Sequence, residues 1–174
     1  FANGYGIEKA TLNNNQYFDN SGKNVKIGAL NGAATMAGAG MYTIGGNNKD
    51  CKYEGTFSAS KLTKVGTGAL SLTTVQSSIA TSDVYVNGGV LSLENAKYEE
   101  NFFGLNTIRC SGEGTTLMGR TKVADVYIEN GASLMPGCST DAERYGNMML
   151  SNVYIYEGSS LDLLLRNTRG KTTS

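Results

Sequence analysis

Two near-copies of one phrase lie within residues 61–93. The first is Lys64-Val65-Gly66-Thr67-Gly68-Ala69-Leu70-Ser71-Leu72 and the second is Tyr85-Val86-Asn87-Gly88-Gly89-Val90-Leu91-Ser92-Leu93. Laid over each other without a gap, they match Val65 to Val86, Gly68 to Gly89, Leu70 to Leu91 and Leu72 to Leu93, an offset of 86 − 65 = 21 residues. Each copy reads strand, glycine turn, strand. A fixed period of this length marks a solenoid, in which one short unit stacks on the next.

The phrase recurs three more times in looser form. Ile108-Arg109-Cys110 leads through Gly112 and Gly114 to Leu117, Val126-Tyr127-Ile128 leads through Gly131 to Leu134, and Val153-Tyr154-Ile155 leads through Gly158 to Leu161. The leucines that open each second strand, Leu70, Leu91, Leu117, Leu134 and Leu161, are spaced by 21, 26, 17 and 27 residues. The turn glycine stays close before them while the other connections vary. Alternation with period two dominates, and no window of helical length keeps an i, i+3, i+4 apolar pattern. Ala96–Leu105, the best helical candidate, is interrupted by Gly104.

Two strands per unit with no crossover helix predict an all-β parallel β-helix, a single solenoid domain over residues 1–174. The expected inward rows are Val65/Val86/Cys110/Ile128/Ile155 and Leu70/Leu91/Leu117/Leu134/Leu161. The 23 glycines and single proline agree, since tight turns need backbone angles that a Cβ forbids.

The residue between two inward apolar residues points outward. In the five copies it is Lys64, Tyr85, Arg109, Tyr127 and Tyr154, which predicts an exposed ladder of cations and rings on one face. Adjacent coils stand about 4.8 Å apart, a spacing that suits ring stacking and guanidinium over ring. Such a ladder either stabilises the surface or offers a platform to a glycan or a second protein.

Other chemistry finds little support. There is no histidine, so Ser-His-Asp and Cys-His machinery is absent from this chain. The 15 basic and 15 acidic residues cancel, so nothing points to nucleic acid. Cys51, Cys110 and Cys138 form no CxxC, which argues against zinc. Cys51 and Cys110 alternate with apolar neighbours as buried thiols do, although an oxidising compartment leaves room for one disulfide. No cofactor or metal is expected: Gly45-Gly46-Asn47-Asn48-Lys49-Asp50 is too isolated for a calcium repeat, and no strand-to-helix junction follows Gly4-Tyr5-Gly6 to hold phosphate. Asp83 and Asp125 occupy matching positions before Val84 and Val126, yet glycoside hydrolysis needs two carboxyls held across a groove. Long connections at 94–106 and 138–148, the first with Phe102-Phe103 and the second with Arg144-Tyr145, are candidate binding loops.

The two copies at 61–93 resemble the autotransporter-associated β-strand repeat. Gly131-Ala132-Ser133-Leu134-Met135-Pro136-Gly137 is similar to the recurring Gly-Ala-x-Leu-x-Pro-Gly ending of that family, and residues 27–46 and 53–57 resemble the turns before its core repeat. The resemblance implies a right-handed parallel β-helix, exported and displayed on the bacterial cell surface in association with the outer membrane. It implies a non-enzymatic stalk or scaffold, with adhesin as a further role, and no catalytic residues. The 174 residues include no membrane β-barrel segment of the kind the family carries, and they do not define an export route. The chain is expected to be a piece of a longer polypeptide, with adjoining domains as its first partners. A carbohydrate-binding β-helix that uses the ladder or the loops, with host glycan or a surface protein as partner, is the alternative. A polysaccharide lyase or hydrolase comes third.

Overall fold

A computed structural model describes residues 6–74, 79–95, 107–137 and 148–163. The bulk of both long connections, Ala96–Leu105, Cys138 and the tail from 164 lie outside these residues.

The described chain is β-strand joined by turns. In order the strands are β1 (Ile7–Asn14), β2 (Phe18–Asp19), β3 (Val25–Gly32), β4 (Met36–Ala37), β5 (Met41–Ile44), β6 (Cys51–Tyr53), β7 (Phe57–Lys64) and β8 (Ala69–Thr74). They continue with β9 (Ile79–Val86), β10 (Val90–Asn95), β11 (Thr107–Ser111), β12 (Thr116–Glu129), β13 (Ser133–Pro136), β14 (Met148–Ile155) and β15 (Ser160–Leu161). Every pairing between these strands is parallel and joins one coil to the next, as in β7 to β9 to β11 to β12 to β14. The fold is a parallel β-solenoid, with no helix among the described residues.

Registered pairing turns the sequence alternation into vertical rows of side chains. One row runs Tyr42, Leu62, Val84, Ile108, Val126, Val153. The next, two residues on, runs Ile27, Ile44, Lys64, Val86, Cys110, Ile128, Ile155. Across the glycine turn a third runs Cys51, Leu70, Leu91, Leu117, Leu134, Leu161. The leucine row stands where the 21-residue offset puts it.

The first-strand row needs a correction. Lys64, not Val65, pairs with Val86. The step from this row to the leucine row is six residues in the Lys64–Leu70 coil and five in the Val86–Leu91 coil. Val65 is the extra residue, its N–H donating to the Ile44 carbonyl while Asn87 N–H bonds the Lys64 carbonyl. An ungapped overlay cannot see a turn that is one residue longer, and a one-residue slip exchanges inside for outside.

The wide N-terminal coils are filled by aromatic rings. Tyr42 packs edge-on against Phe57, centroids 5.1 Å apart, and both are fully buried. Each buried phenol finds a partner, as a hydroxyl removed from water must. Tyr42 donates to the Ala37 carbonyl at 2.6 Å, and Tyr53 donates to the Ala34 carbonyl while accepting from Asn14 Nδ2 at 3.1 Å.

Candidate functional site

The face built by β5, β7, β9, β11, β12 and β14 carries the outward residues between the first two rows. Register aligns Thr43, Thr63, Tyr85, Arg109, Tyr127 and Tyr154 into one outward column. Tyr85, Arg109, Tyr127 and Tyr154 are thus brought together as their spacing predicts.

Lys64 is not in this column. Thr63 holds its position, and the Lys64 side chain enters the core at 1 % exposure. Its ammonium donates to the carbonyls of Val65 (2.8 Å) and Gly66 (3.0 Å) in its own turn and of Gly88 (2.9 Å) in the next. Three acceptors saturate the three N–H bonds of an ammonium, which is how a charge survives among Ile44 and Val86. Burial nonetheless pushes its pKa down to about 8, against smaller opposing contributions from Cys51 and Asp50. The lysine works as a staple between two glycine turns.

Lys61 supplies the cation that Lys64 does not. It pairs in register with Asp83, two residues from Tyr85 along the same outward face, and its Nζ lies 3.8 Å from the Tyr85 ring centroid. The sequence signal was present: Lys61 and Thr63 alternate outward once Lys64 is turned in. Further along, Arg109 Cζ lies 3.9 Å from the Tyr127 ring centroid, and Arg109 Nη1 stands 3.2 Å from Glu129 Oε1. Tyr127 and Tyr154 stack with centroids 4.6 Å apart and planes 13° from parallel.

These contacts are directed along the solenoid axis. Ring faces and cations engage the coil above or below. A sugar that stacks on an aromatic side chain needs a free ring face, which Tyr127, engaged by Arg109 and Tyr154, does not offer.

The two aspartates at matching positions do not converge. Asp83 and Asp125 share a column, but Thr107 stands between them. Two coil steps put them roughly 10 Å apart on one flat face. Asp125 Oδ1 accepts from Asn152 Nδ2 at 2.7 Å. Among the described residues, no group of three or more His, Cys, Asp or Glu side chains is placed to hold a metal.

Cys51 and Cys110 are buried free thiols. Desolvation raises both, and Cys110 reaches about 12. A buried thiol this far from its thiolate is an apolar filler of the row and not a nucleophile.

No family model matches the chain, and neither a curated protein nor a solved structure matches it.

Proposed function

We propose that this chain is a non-enzymatic segment of a secreted bacterial surface protein, a β-helical rod that spaces or displays what adjoins it. The observation that carries the reading is the outward column. Its most distinctive side chains spend their ring faces and charges on one another, Arg109 on Tyr127 and Tyr127 on Tyr154. A face that completes its own contacts coil by coil favours extension of the rod over capture of a ligand. The resemblance of residues 61–93 to the autotransporter-associated repeat supports an exported, surface-displayed setting, with scaffold or adhesin as the role.

The reading is tested in two measurements. Intact cells of the producing bacterium, treated with a protease that cannot cross membranes, should lose the protein; full protection together with recovery from the cytosol would refute surface display. Tyr127→Ser with Tyr154→Ser should lower the melting temperature and leave a glycan array as blank as it is for the native chain. A native chain that binds one glycan class, with that binding lost in the double variant, would instead make the column a carbohydrate site.

A further inference from the structure

Exposed large apolar side chains among the described residues concentrate in β14, β15 and the turn between them. Val126, Ile128 and Leu134 are 0 %, 0 % and 1 % exposed, whereas Val153, Ile155 and Leu161, next in the same rows, are 41 %, 41 % and 44 % exposed. Nothing in their chemistry differs; among the described residues, no strand stacks on the far side of β14 or β15. Among the described residues β14 pairs only with β12 and β15 only with β13, so one edge of each has no strand partner among them. A coincident apolar face and open strand edge is an adhesive surface.

The opposite end carries the complementary edge. Among the described residues β1 pairs only with β3. Ile7 pairs with Ile27, which sits in the row of Ile155. Leu12 pairs with Leu30, and the Gly32–Tyr53 pairing sets Leu30 against Cys51 in the row of Leu161. Both Ile7 and Leu12 are only half-buried.

We propose that the β14–β15 end docks the β1 end of a second copy, head to tail, with strands parallel across the junction as they are within the chain. Ile155 then meets Ile7, and Leu161 meets Leu12. The spacings fit: Ile155 to Leu161 is six residues and Ile7 to Leu12 is five. The same six-on-five step is already stacked inside the molecule, where the Lys64–Leu70 coil lies against Val86–Leu91. A symmetric joint between two β14 edges would set the strands antiparallel and break every row, so the contact is heterologous and does not close. The inference rests on the rod reading but can fail separately from it.

Sedimentation of the whole chain between about 10 µM and about 1 mM tests the proposal, because a one-coil contact is small and assembles only by mass action. The weight-average mass should rise at least twofold above 18.4 kDa. Ile155→Lys and Leu12→Lys should each remain monomeric, and an equimolar mixture of the two should form dimers and stop there, because each retains one intact end. Val153→Lys replaces the first variant, and Ile7→Lys the second, if either fails to fold by circular dichroism. A native chain that stays monomeric at the highest concentration overturns the proposal, and assembly that survives both lysines does too. A folded monomer that binds an apolar dye at this end assigns the surface to some other occupant, and leaves the rod reading standing.

Discussion

Tyr154 lies flat on Tyr127, 4.6 Å away and 13° from parallel, because Tyr127 and Tyr154 are register partners on adjacent strands. The separation is close to the spacing of neighbouring strands, so the stack follows from the pairing and needs no special side-chain placement.

A stacked pair of this kind contributes about 1 kcal/mol beyond its area. Tyr154→Ser should cost about that much, and Tyr127→Ser about twice as much, since Tyr127 also carries Arg109. A double-mutant cycle on Tyr127 and Tyr154, read by urea unfolding, should give a coupling of about 1 kcal/mol; additive costs would deny the stack any energetic role.

Lys64→Met keeps the aliphatic stem and removes the donor to three carbonyls. Leaving buried acceptors without a partner should destabilise the chain by about 1–3 kcal/mol at neutral pH. Thermal unfolding checks this, and an unchanged melting temperature would mean that water replaces the ammonium.

The same lysine gives a signed pH dependence. Its folded pKa of about 8 lies below the ordinary 10.5, so the unfolded chain holds the proton more tightly. The penalty for burying the charge is complete below pH 8 and fades as pH climbs toward 10.5. Native stability relative to Lys64→Met should therefore increase from about pH 8 to 10. Nearer pH 10 the buried phenol of Tyr42, whose pKa is raised by desolvation, begins to act in the opposite sense, so the difference between the two proteins is the quantity to follow.

In a Cys138→Ser background, Cys51 and Cys110 should both resist a thiol reagent at neutral pH and react together on denaturation. Their burial and raised pKa values both oppose the thiolate. One thiol reacting at the rate of a free peptide would show that its row opens locally.

Gly119 occupies the row of Tyr53, Leu72 and Leu93 with φ 130°, and a Cβ there would land on the Leu93 carbonyl oxygen. Gly119→Ala combines backbone strain with a collision against main chain, and should cost about 3 kcal/mol. A shift in the urea midpoint is the readout.

What the sequence made legible was what depends on alternation. Leucine at 70, 91, 117, 134 and 161, and Tyr85, Arg109, Tyr127 and Tyr154 opposite, follow from period two and one turn glycine, and the pairing agrees. The failure at Lys64 came from turn length, which carries no period, and from the expectation that lysine faces water. Only the positions of the turn carbonyls, invisible in one dimension, explain why a charge is tolerated there. Tyr53 follows from its alternation with Cys51 and is buried as that predicts, whereas Tyr42 was hard to foresee as core, since its hydroxyl needs an acceptor outside its own strand, the Ala37 carbonyl.

Pairing that joins each coil only to its neighbours also fixes how the molecule bears a load. Pulled from the two ends, the described coils have no distant strand among them to act as a lock, and the end coil peels away before the next is strained. Each coil of roughly 20 residues pays out about 70 Å of chain. Stretching should appear as a train of small, similar extensions instead of one abrupt rupture.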